Sequence, residues 1–415
     1  MTATRSRPET APPATRRGPG RRLLEFYLYG NPVVITILAF LCALVVGALL
    51  ILIADAPTRA SLGYFFSAPG DTFGNGWSAI SAGYGALFRG AVFDPASMHQ
   101  GAAAIFGPIS NTLLNAAPLI LGGLAVGLAF QTGLFNIGVQ GQLIFGAIFA
   151  GYVAFAWRMP PVIGVIVALA AGILGGALWG GLAGLLKART GAHEVITTIM
   201  LNYVALYLLS FLLGVQGFQA PGSNQAISRP TLADNRLPHL FGPSLSVHLG
   251  LVIALLAALG TWWLLTRSTL GFRLKAVGAN PFAARTAGMG VERSYTTVML
   301  ISGALAGLAG CSQILGTNAA LTGDVDAGIG FDAITVALLG RAGPVGTVLA
   351  GLLFGAFRAG SVVMNSATSI PPEVVSVIEP VMVLFIAAPA LIRGIFRLRA
   401  SRSGGVGQLA KGWNG

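Results

Sequence analysis

Charged residues are scarce in this chain. Only 9% of its 415 residues are Asp, Glu, Lys or Arg, and 54% are hydrophobic, whereas a soluble domain has roughly 25% charged residues. This composition excludes an ordinary soluble protein and indicates a polytopic integral membrane protein. The excess of 25 Lys and Arg over 13 Asp and Glu would suggest a nucleic-acid partner in a soluble chain. Here the arginines cluster between apolar runs, so they indicate membrane topology instead.

Cysteine is rarer still, with two residues, and motifs of enzymes are missing from the sequence. Cys42 and Cys311 lie in separate apolar runs, so neither a disulfide framework nor a metal pair is expected. There is no G-x-x-x-x-G-K-S/T phosphate loop, no Ser-His-Asp arrangement and no spaced Cys/His cluster. His193 and Glu194 stand at a membrane boundary and are expected to start a helix. We therefore expect no catalytic residues, no metal and no cofactor bound by this chain.

Long apolar runs make up nearly half of the sequence. A helix of about 20 apolar residues crosses a bilayer, and its backbone groups are satisfied internally. We expect an all-α polytopic membrane protein with about ten transmembrane helices (8–10), some of them interrupted. The predicted spans are 33–54, 111–130, 137–157, 162–186, 195–214, 247–266, 295–315, 331–341, 345–362 and 375–396, of which 331–341 is too short for a full crossing.

The distribution of basic residues predicts the orientation. The loops between successive spans lie alternately on the two sides of the membrane. One side holds most of the basic residues, and the other side holds only Arg59, Arg89, Arg158, Arg229 and Arg236. Because cytoplasmic loops carry the excess of Lys and Arg, both termini are expected in the cytoplasm. Residues 1–32 are predicted to be a disordered basic cytoplasmic tail, 33–396 the transmembrane domain and 397–415 a second cytoplasmic tail. The first span is too long for a signal-peptide core, so we expect it to be retained.

Glycines recur at helical spacing in several spans. Such spacing removes side chains from one helix face and lets a neighbouring backbone approach closely. It predicts a dense bundle rather than a wide pore. The repeats are Gly172, Gly176, Gly180 and Gly184 in one helix, Gly303 and Gly307 in another, and Gly351 and Gly355 in a third.

Two segments interrupt the apolar pattern. QTGLFNIGVQGQ (131–142) and GIGFDAITVALLGRAGPVG (328–346) place polar side chains and glycines where continuous helices would otherwise run. Unwound backbone at membrane depth is tolerated only inside protein or beside water, and interrupted helices in corresponding halves often mark a transport pathway. The two segments are weakly alike, which leaves an ancestral repeat as one possibility.

The inner loop 267–294 contains a basic island, GFRLKAVGANPFAARTAGMGVER (271–293). Asn280 can cap a short helix, Pro281 suits its first position, and Gly288 can end it. An exposed Phe282 on such a helix would fit a groove on a soluble partner. The alternative is an ordinary basic inner loop.

Four ordered segments carry a family resemblance: GLFNIGVQGQLIFGAIFAGYVA (133–154), HEVITTIMLNYVALYLLSFLLG (193–214), GFRLKAVGANPFAARTAGM (271–289) and GFDAITVALLGRAGPVGTVLAGLLFGAF (330–357). Together they resemble the permease subunits of bacterial ABC importers of the ribose, galactose and branched-chain amino-acid type, and within that group the nucleoside or simple-sugar branch. The resemblance covers about residues 105–395.

The resemblance implies a permease subunit of the bacterial cytoplasmic (inner) membrane that forms an alternating-access path for a small polar solute, a nucleoside or simple sugar. It implies a second related permease in a heterodimer, an ABC ATPase that binds ATP and Mg, and an extracytoplasmic substrate-binding lipoprotein that docks on loops 55–110 and 215–246. The coupling helix would contain Asn280, Pro281, Phe282, Ala283, Arg285, Thr286 and Met289. This segment lacks the initial Glu-Ala-Ala of the longer signature found in many importers, which leaves its individual contacts open.

A path for such a solute needs amides for hydrogen bonds and aromatic faces for stacking. The residues that fit are Asn111, Asn115, Phe135, Asn136, Gln140, Gln142, Asn202, Tyr203, Phe331 and Asp332. For each of them the alternative is structural, since buried amides commonly bond between helices and aromatics fill gaps. Arg358 and Glu379 are charges within spans, and we expect them to form an intramembrane ion pair.

An ion-coupled secondary transporter of a small polar solute is the competing interpretation, because such transporters also use interrupted helices. It would require intramembrane carboxylates for the coupling ion. Only Glu379 and Asp332 qualify, and the basic island would then have no assigned role.

Overall fold

The computed structural model describes residues 32–368 and 370–397. Within these residues the chain forms helices and no β-strand beyond isolated bridges. The helices are α1 Pro32–Ala54, α2 Ala56–Leu62, α3 Pro69–Ala91, α4 Ala102–Gln131, α5 Val139–Ala156, α6 Pro161–Thr190, α7 Glu194–Leu213, α8 Gly250–Arg267, α9 Thr269–Ala279, α10 Pro281–Thr286, α11 Val291–Cys311, α12 Ile329–Leu339, α13 Pro344–Thr368, α14 Glu373–Ala387 and α15 Pro389–Ile395. Short 3₁₀ turns occupy Pro95–His99 and Ala233–Asn235, and a π-helix Ser312–Thr317 prolongs α11.

Eight helices of the described part are long and apolar enough to cross a membrane. They correspond to eight of the ten predicted spans, and they confirm a multi-pass membrane protein. The segment 331–341 is an 11-residue helix, α12, too short for a full crossing as expected. The segment 375–396 divides into α14 and α15, because Pro389 begins a new helix after Ala388 leaves the helical conformation. The predicted tails lie outside the described residues, except Pro32 and Arg397.

The main compact unit comprises residues 43–383. Its centre is α4, where residues from Ala116 to Ala129 are almost all buried. Helices α8, α11, α12 and α13 pack around α4. A second unit contains the described residues 32–42 and 384–397, where Ile35, Ala39 and Ile392 form a small apolar cluster.

Glycine faces bring α6 and α11 into backbone contact. A Cβ atom added to Gly180 would lie 2.9 Å from the Cα of Gly303, and one added to Gly176 would lie 2.6 Å from the Cα of Gly307. This is tighter than side chains permit, so the two backbones meet directly. The predicted glycine packing is confirmed for this helix pair.

Helix α3 lies in the segment 55–110 that was expected to be an outer loop. Its small residues Gly76, Gly83 and Gly90 face neighbouring helices, and the Tyr84 hydroxyl donates a hydrogen bond of 2.5 Å to the Leu44 carbonyl in α1. The expectation of a simple loop is therefore corrected. The heptad spacing of small residues on α3 explains why a moderately polar segment packs as a helix.

The segment 214–249 also has a defined structure. The Ser228 amide donates to the Leu321 carbonyl at 3.0 Å, and the Thr231 amide donates to the Ala319 carbonyl at 2.8 Å. The Leu237 amide donates to the carbonyl of Leu315 at 2.8 Å. This segment therefore fixes the chain that follows α11, and that chain lines the site described next.

Candidate functional site

A polar cavity of about 330 Å³ opens between α4, the π-helix, the loop 318–328 and α13. Its size falls within the range of small-molecule sites. Amide, hydroxyl and charged side chains line most of it, over an apolar floor from α4. The lining residues are Leu114, Asn115, Pro118, Gln313, Thr317, Asn318, Thr322, Asp324, Ala327, Ile329 and Arg358.

The π-helix supplies Gln313 and Thr317. A π-helical turn widens the helix by one residue, and such turns occur frequently at functional sites. Gln313 is only 6% exposed, and its side chain has no hydrogen-bond partner among the residues that the structure describes. The backbone N–H of Asn318 donates to the backbone carbonyl of Gln313 at 2.7 Å, and this bond ends the π-helix. The result is a buried amide side chain directed at the cavity.

A strained turn begins α12 at the same cavity. Ala327 has φ 44° and Gly328 has φ 74°, and the left-handed region disfavours a residue with a Cβ. Arg358 holds this turn in place. Its Nη2 donates to the Ala327 carbonyl at 2.9 Å and to Asp332 Oδ2 at 2.6 Å, and its Nε donates to the same oxygen at 3.2 Å.

The ion pair differs from the predicted one. Arg358 bonds to Asp332, and Glu379, although only 4% exposed, forms no salt bridge with any residue in the described part of the chain. The predicted ion pair between Arg358 and Glu379 is therefore wrong, and Asp332 is the partner of Arg358. Asp332 lies in the first turn of α12, where the turn at Gly328 brings it to Arg358, and sequence spacing does not show that turn.

Of the ten predicted path residues, Asn115 alone lines this cavity. Its Nδ2 donates to the Asn111 carbonyl at 2.8 Å, and Asn111 is exposed one turn away. Asp332 acts behind the cavity wall through Arg358. The structure therefore brings these three predicted residues to one region.

Three other predicted amides serve the structure. Asn136 Nδ2 donates to Gln142 Oε1 at 3.1 Å and to Ser302 Oγ at 2.8 Å. Asn202 Oδ1 accepts from the Gly141 amide at 2.9 Å, and its Nδ2 donates to the Ile137 carbonyl at 2.9 Å. These bonds tie the unwound segment 132–138 to α5, α7 and α11, so this interruption is held inside the protein.

The remaining predicted residues are dispersed. Gln140 Nε2 donates to Asp326 Oδ2 at 3.1 Å, and Phe135 stacks on Phe130 with ring centroids 4.8 Å apart. Tyr203 and Phe331 are each 53% exposed and do not line the cavity.

Sequence reasoning missed Gln313, Thr317, Asn318, Thr322 and Asp324. A signal was available, because Gln313 and Asn318 are amides at the end of an apolar run, the same feature that selected Asn111. What the sequence does not show is the π-helix that turns them toward one cavity.

A second feature lies at the end of the bundle where α9, α10 and α11 meet. Asn280 Oδ1 accepts from the Ala283 amide at 3.0 Å, Pro281 begins α10, and Gly288 follows it with φ 79°. The capped helix is as the sequence predicted. The side chain of Phe282 is 80% exposed, a large cost for a Phe without a partner.

A cavity of about 310 Å³ separates α10 from the end of α6, with Lys187, Phe282 and Tyr295 among its walls. Two salt bridges border it, Lys187 with Glu194 at 2.8 Å and Arg285 with Glu292. The helix-start position predicted for Glu194 is observed at α7. An exposed aromatic beside a groove with charged walls is suited to docking a protein.

Comparison with known proteins identifies several relatives. The family model described as branched-chain amino acid transport system / permease component matches residues 108–387. The guanosine ABC transporter permease protein NupP of Bacillus subtilis is 41% identical over 321 residues, covering 76% of this chain and 88% of NupP. The glucose ABC transporter permease protein TsgB13 of Haloferax volcanii is 37% identical over 290 residues, 67% of this chain and 75% of that protein. The nucleoside ABC transporter permease protein NupB of Lactococcus lactis is 34% identical over 293 residues, 68% and 80% respectively. No solved structure matches the chain.

Proposed function

The chain belongs to the family of branched-chain amino acid transport system permease components, and from that premise we propose how it transports and what it carries. It is the transmembrane permease of an ATP-binding-cassette importer. Its solute is a nucleoside or simple sugar, and it moves that solute by alternating access. The polar cavity beside the interrupted helix α12 is the observation that supports a path for a small polar solute.

The energy comes from a separate ATPase that docks on α10. The chain contains no phosphate loop, and α10 presents Phe282 to solvent at a groove. ATP binding shifts the equilibrium between inward-facing and outward-facing states because the ATPase dimer has different affinities for them. Helix α10 transmits that difference to the bundle through α9, which directly precedes it. Gly278 at the end of α9 packs against the backbone of Thr132 at the end of α4.

A second, related permease completes the path. The names NupP with NupQ, and NupB with NupC, occur in pairs among the relatives, which supports a heterodimer. Helix α7 exposes Ile196, Met200, Tyr203 and Phe211, an apolar face suited to lipid. The permease lies in the cytoplasmic (inner) membrane of a bacterium. An extracytoplasmic binding lipoprotein delivers the solute on the side of that membrane opposite α10.

The test is capture of the ATPase by purified permease. Burying a Phe side chain contributes about 1.5–3 kcal/mol, so Phe282→Ala should weaken the complex by roughly 10- to 150-fold. Phe241→Ala is the matched control, because Phe241 is 67% exposed in the segment 214–249, away from α10. Equal capture by wild type and Phe282→Ala would contradict docking through α10. Failure of the wild-type protein to capture any ATPase would contradict the proposed function.

A further inference from the structure

The 330 Å³ cavity shows which part of a solute it can recognise. Three amide side chains line it (Asn115, Gln313 and Asn318), together with the hydroxyls of Thr317 and Thr322. No aromatic side chain is among its lining residues in the described part of the chain. A nucleobase is bound in proteins by stacking as well as hydrogen bonds, and this cavity offers no ring on which to stack.

Its unpartnered polar groups point to a ligand that both donates and accepts hydrogen bonds. The buried side chain of Gln313 has a carbonyl and an NH₂ group, and neither has a partner among the described residues. These atoms are not among the fully buried groups that lack a partner, so they are accessible from the cavity that Gln313 lines, where a ligand can bond them. Each hydroxyl of a sugar ring donates one hydrogen bond and accepts others, and two neighbouring hydroxyls match the two ends of one amide.

The charges favour a neutral ligand over an anion. The Nε and Nη2 groups of Arg358 are engaged by Asp332 and the Ala327 carbonyl. Asp324 is exposed at the cavity and forms no salt bridge with any described residue. A free carboxylate accepts hydrogen bonds from hydroxyls and repels phosphate.

We propose that this cavity binds the sugar ring of the transported solute through its neighbouring hydroxyls, with Gln313, Asn318 and Asp324 as the selecting residues, and that it does not recognise the base. This inference rests on the proposed function and names the part of the solute that the permease itself distinguishes. Specificity for the base would then reside outside this cavity.

The experiment uses the complete importer in proteoliposomes, with binding protein saturated in separate assays by guanosine and by 2′,3′-dideoxyguanosine. The variants are Gln313→Leu and Asp324→Ala, and the control is Glu373→Ala, which removes an exposed carboxyl group at the start of α14. We expect the ratio of maximal uptake rates, guanosine over dideoxyguanosine, to fall about tenfold in both variants and to be unchanged in the control. Because the Gln313 side chain bonds no described residue and opens on the cavity, Gln313→Leu should leave the melting temperature close to that of the wild type.

Equal slowing of both solutes would overturn the proposal, because it would show a structural or gating role. A change in the ratio of guanosine to uridine uptake, with the sugar preference unaltered, would overturn it as well. If the wild-type importer shows no ATP-dependent nucleoside uptake, the proposed function fails separately. In that case thermal melting of the purified complex with millimolar D-ribose still decides the assignment. Stabilisation of the wild type but not of Asp324→Ala supports it, and equal responses refute it.

Discussion

The contact between α6 and α11 gives the most direct prediction about the fold. Gly303→Ala adds one Cβ atom to α11 where the backbone of Gly176 and Gly180 already lies, with the Cα of Gly180 at 3.1 Å from the new atom. Backbone atoms cannot move aside as a flexible side chain can, so the two helices must separate. Overpacking of this kind typically costs about 1–3 kcal/mol.

Gly260→Ala in α8 is the matched control, because a Cβ at Gly260 meets no atom within 4 Å. Alanine is favoured over glycine in a helix by about 0.8–1.0 kcal/mol, so this control should be neutral or stabilising. The assay is thermal unfolding of the purified protein in detergent, with helix content and aggregation followed in parallel. We expect a lower melting temperature for Gly303→Ala than for the wild type. Equal melting temperatures for the two variants would refute close backbone packing of α6 on α11.

Three further predictions concern polar residues. A double-mutant cycle with Asp332→Asn and Arg358→Gln should give a coupling energy of about 0.5–3 kcal/mol in thermal unfolding, and additive effects would contradict the ion pair. Asn202→Leu leaves the Gly141 amide and the Ile137 carbonyl without their partner; it should destabilise the protein by about 1–3 kcal/mol, whereas an unchanged melting temperature would contradict this role. Burial, with the nearby His239 charge second, lowers the pKa of His248, in the loop before α8, to about 4. The unfolded state therefore binds the proton first, and stability should fall as pH drops from about 6.5 towards 4. His248→Asn, which keeps an acceptor for the Gly250 amide, should flatten that part of the curve of melting temperature against pH, and parallel curves would contradict the assignment.

Features set by local chemistry could be predicted from the sequence. Long apolar runs determine where helices lie in a membrane, and glycines four residues apart identify the contact faces of α6 and α11. Asn280 followed by Pro281 defines the start of α10, because capping depends on residues close in sequence. Helix α3 was missed, since its Gly, Ser and Asn residues interrupt any long apolar run and only the spacing of Gly76, Gly83 and Gly90 signals its packing.

The site depends on contacts between distant residues, which explains the errors there. Polarity alone selected Asn136 and Asn202 for the path, yet the unwound segment 132–138 uses both to satisfy its own backbone. Arg358 was assigned to Glu379 because both are charges in apolar surroundings. Its bond to Asp332 requires the left-handed turn at Ala327. The sequence does not predict this conformation.

The central claim is that this permease moves solute only with energy from an ATPase bound at α10. The most direct measurement is uptake of radiolabelled guanosine into proteoliposomes containing the whole importer, with binding protein outside, ATP inside and protonophore present. Uptake should require internal ATP, persist when the proton gradient is abolished, and fall at least tenfold with Phe282→Ala, in line with its weaker ATPase complex. Uptake that continues without ATP and stops when the proton gradient collapses would contradict it and would favour an ion-coupled transporter.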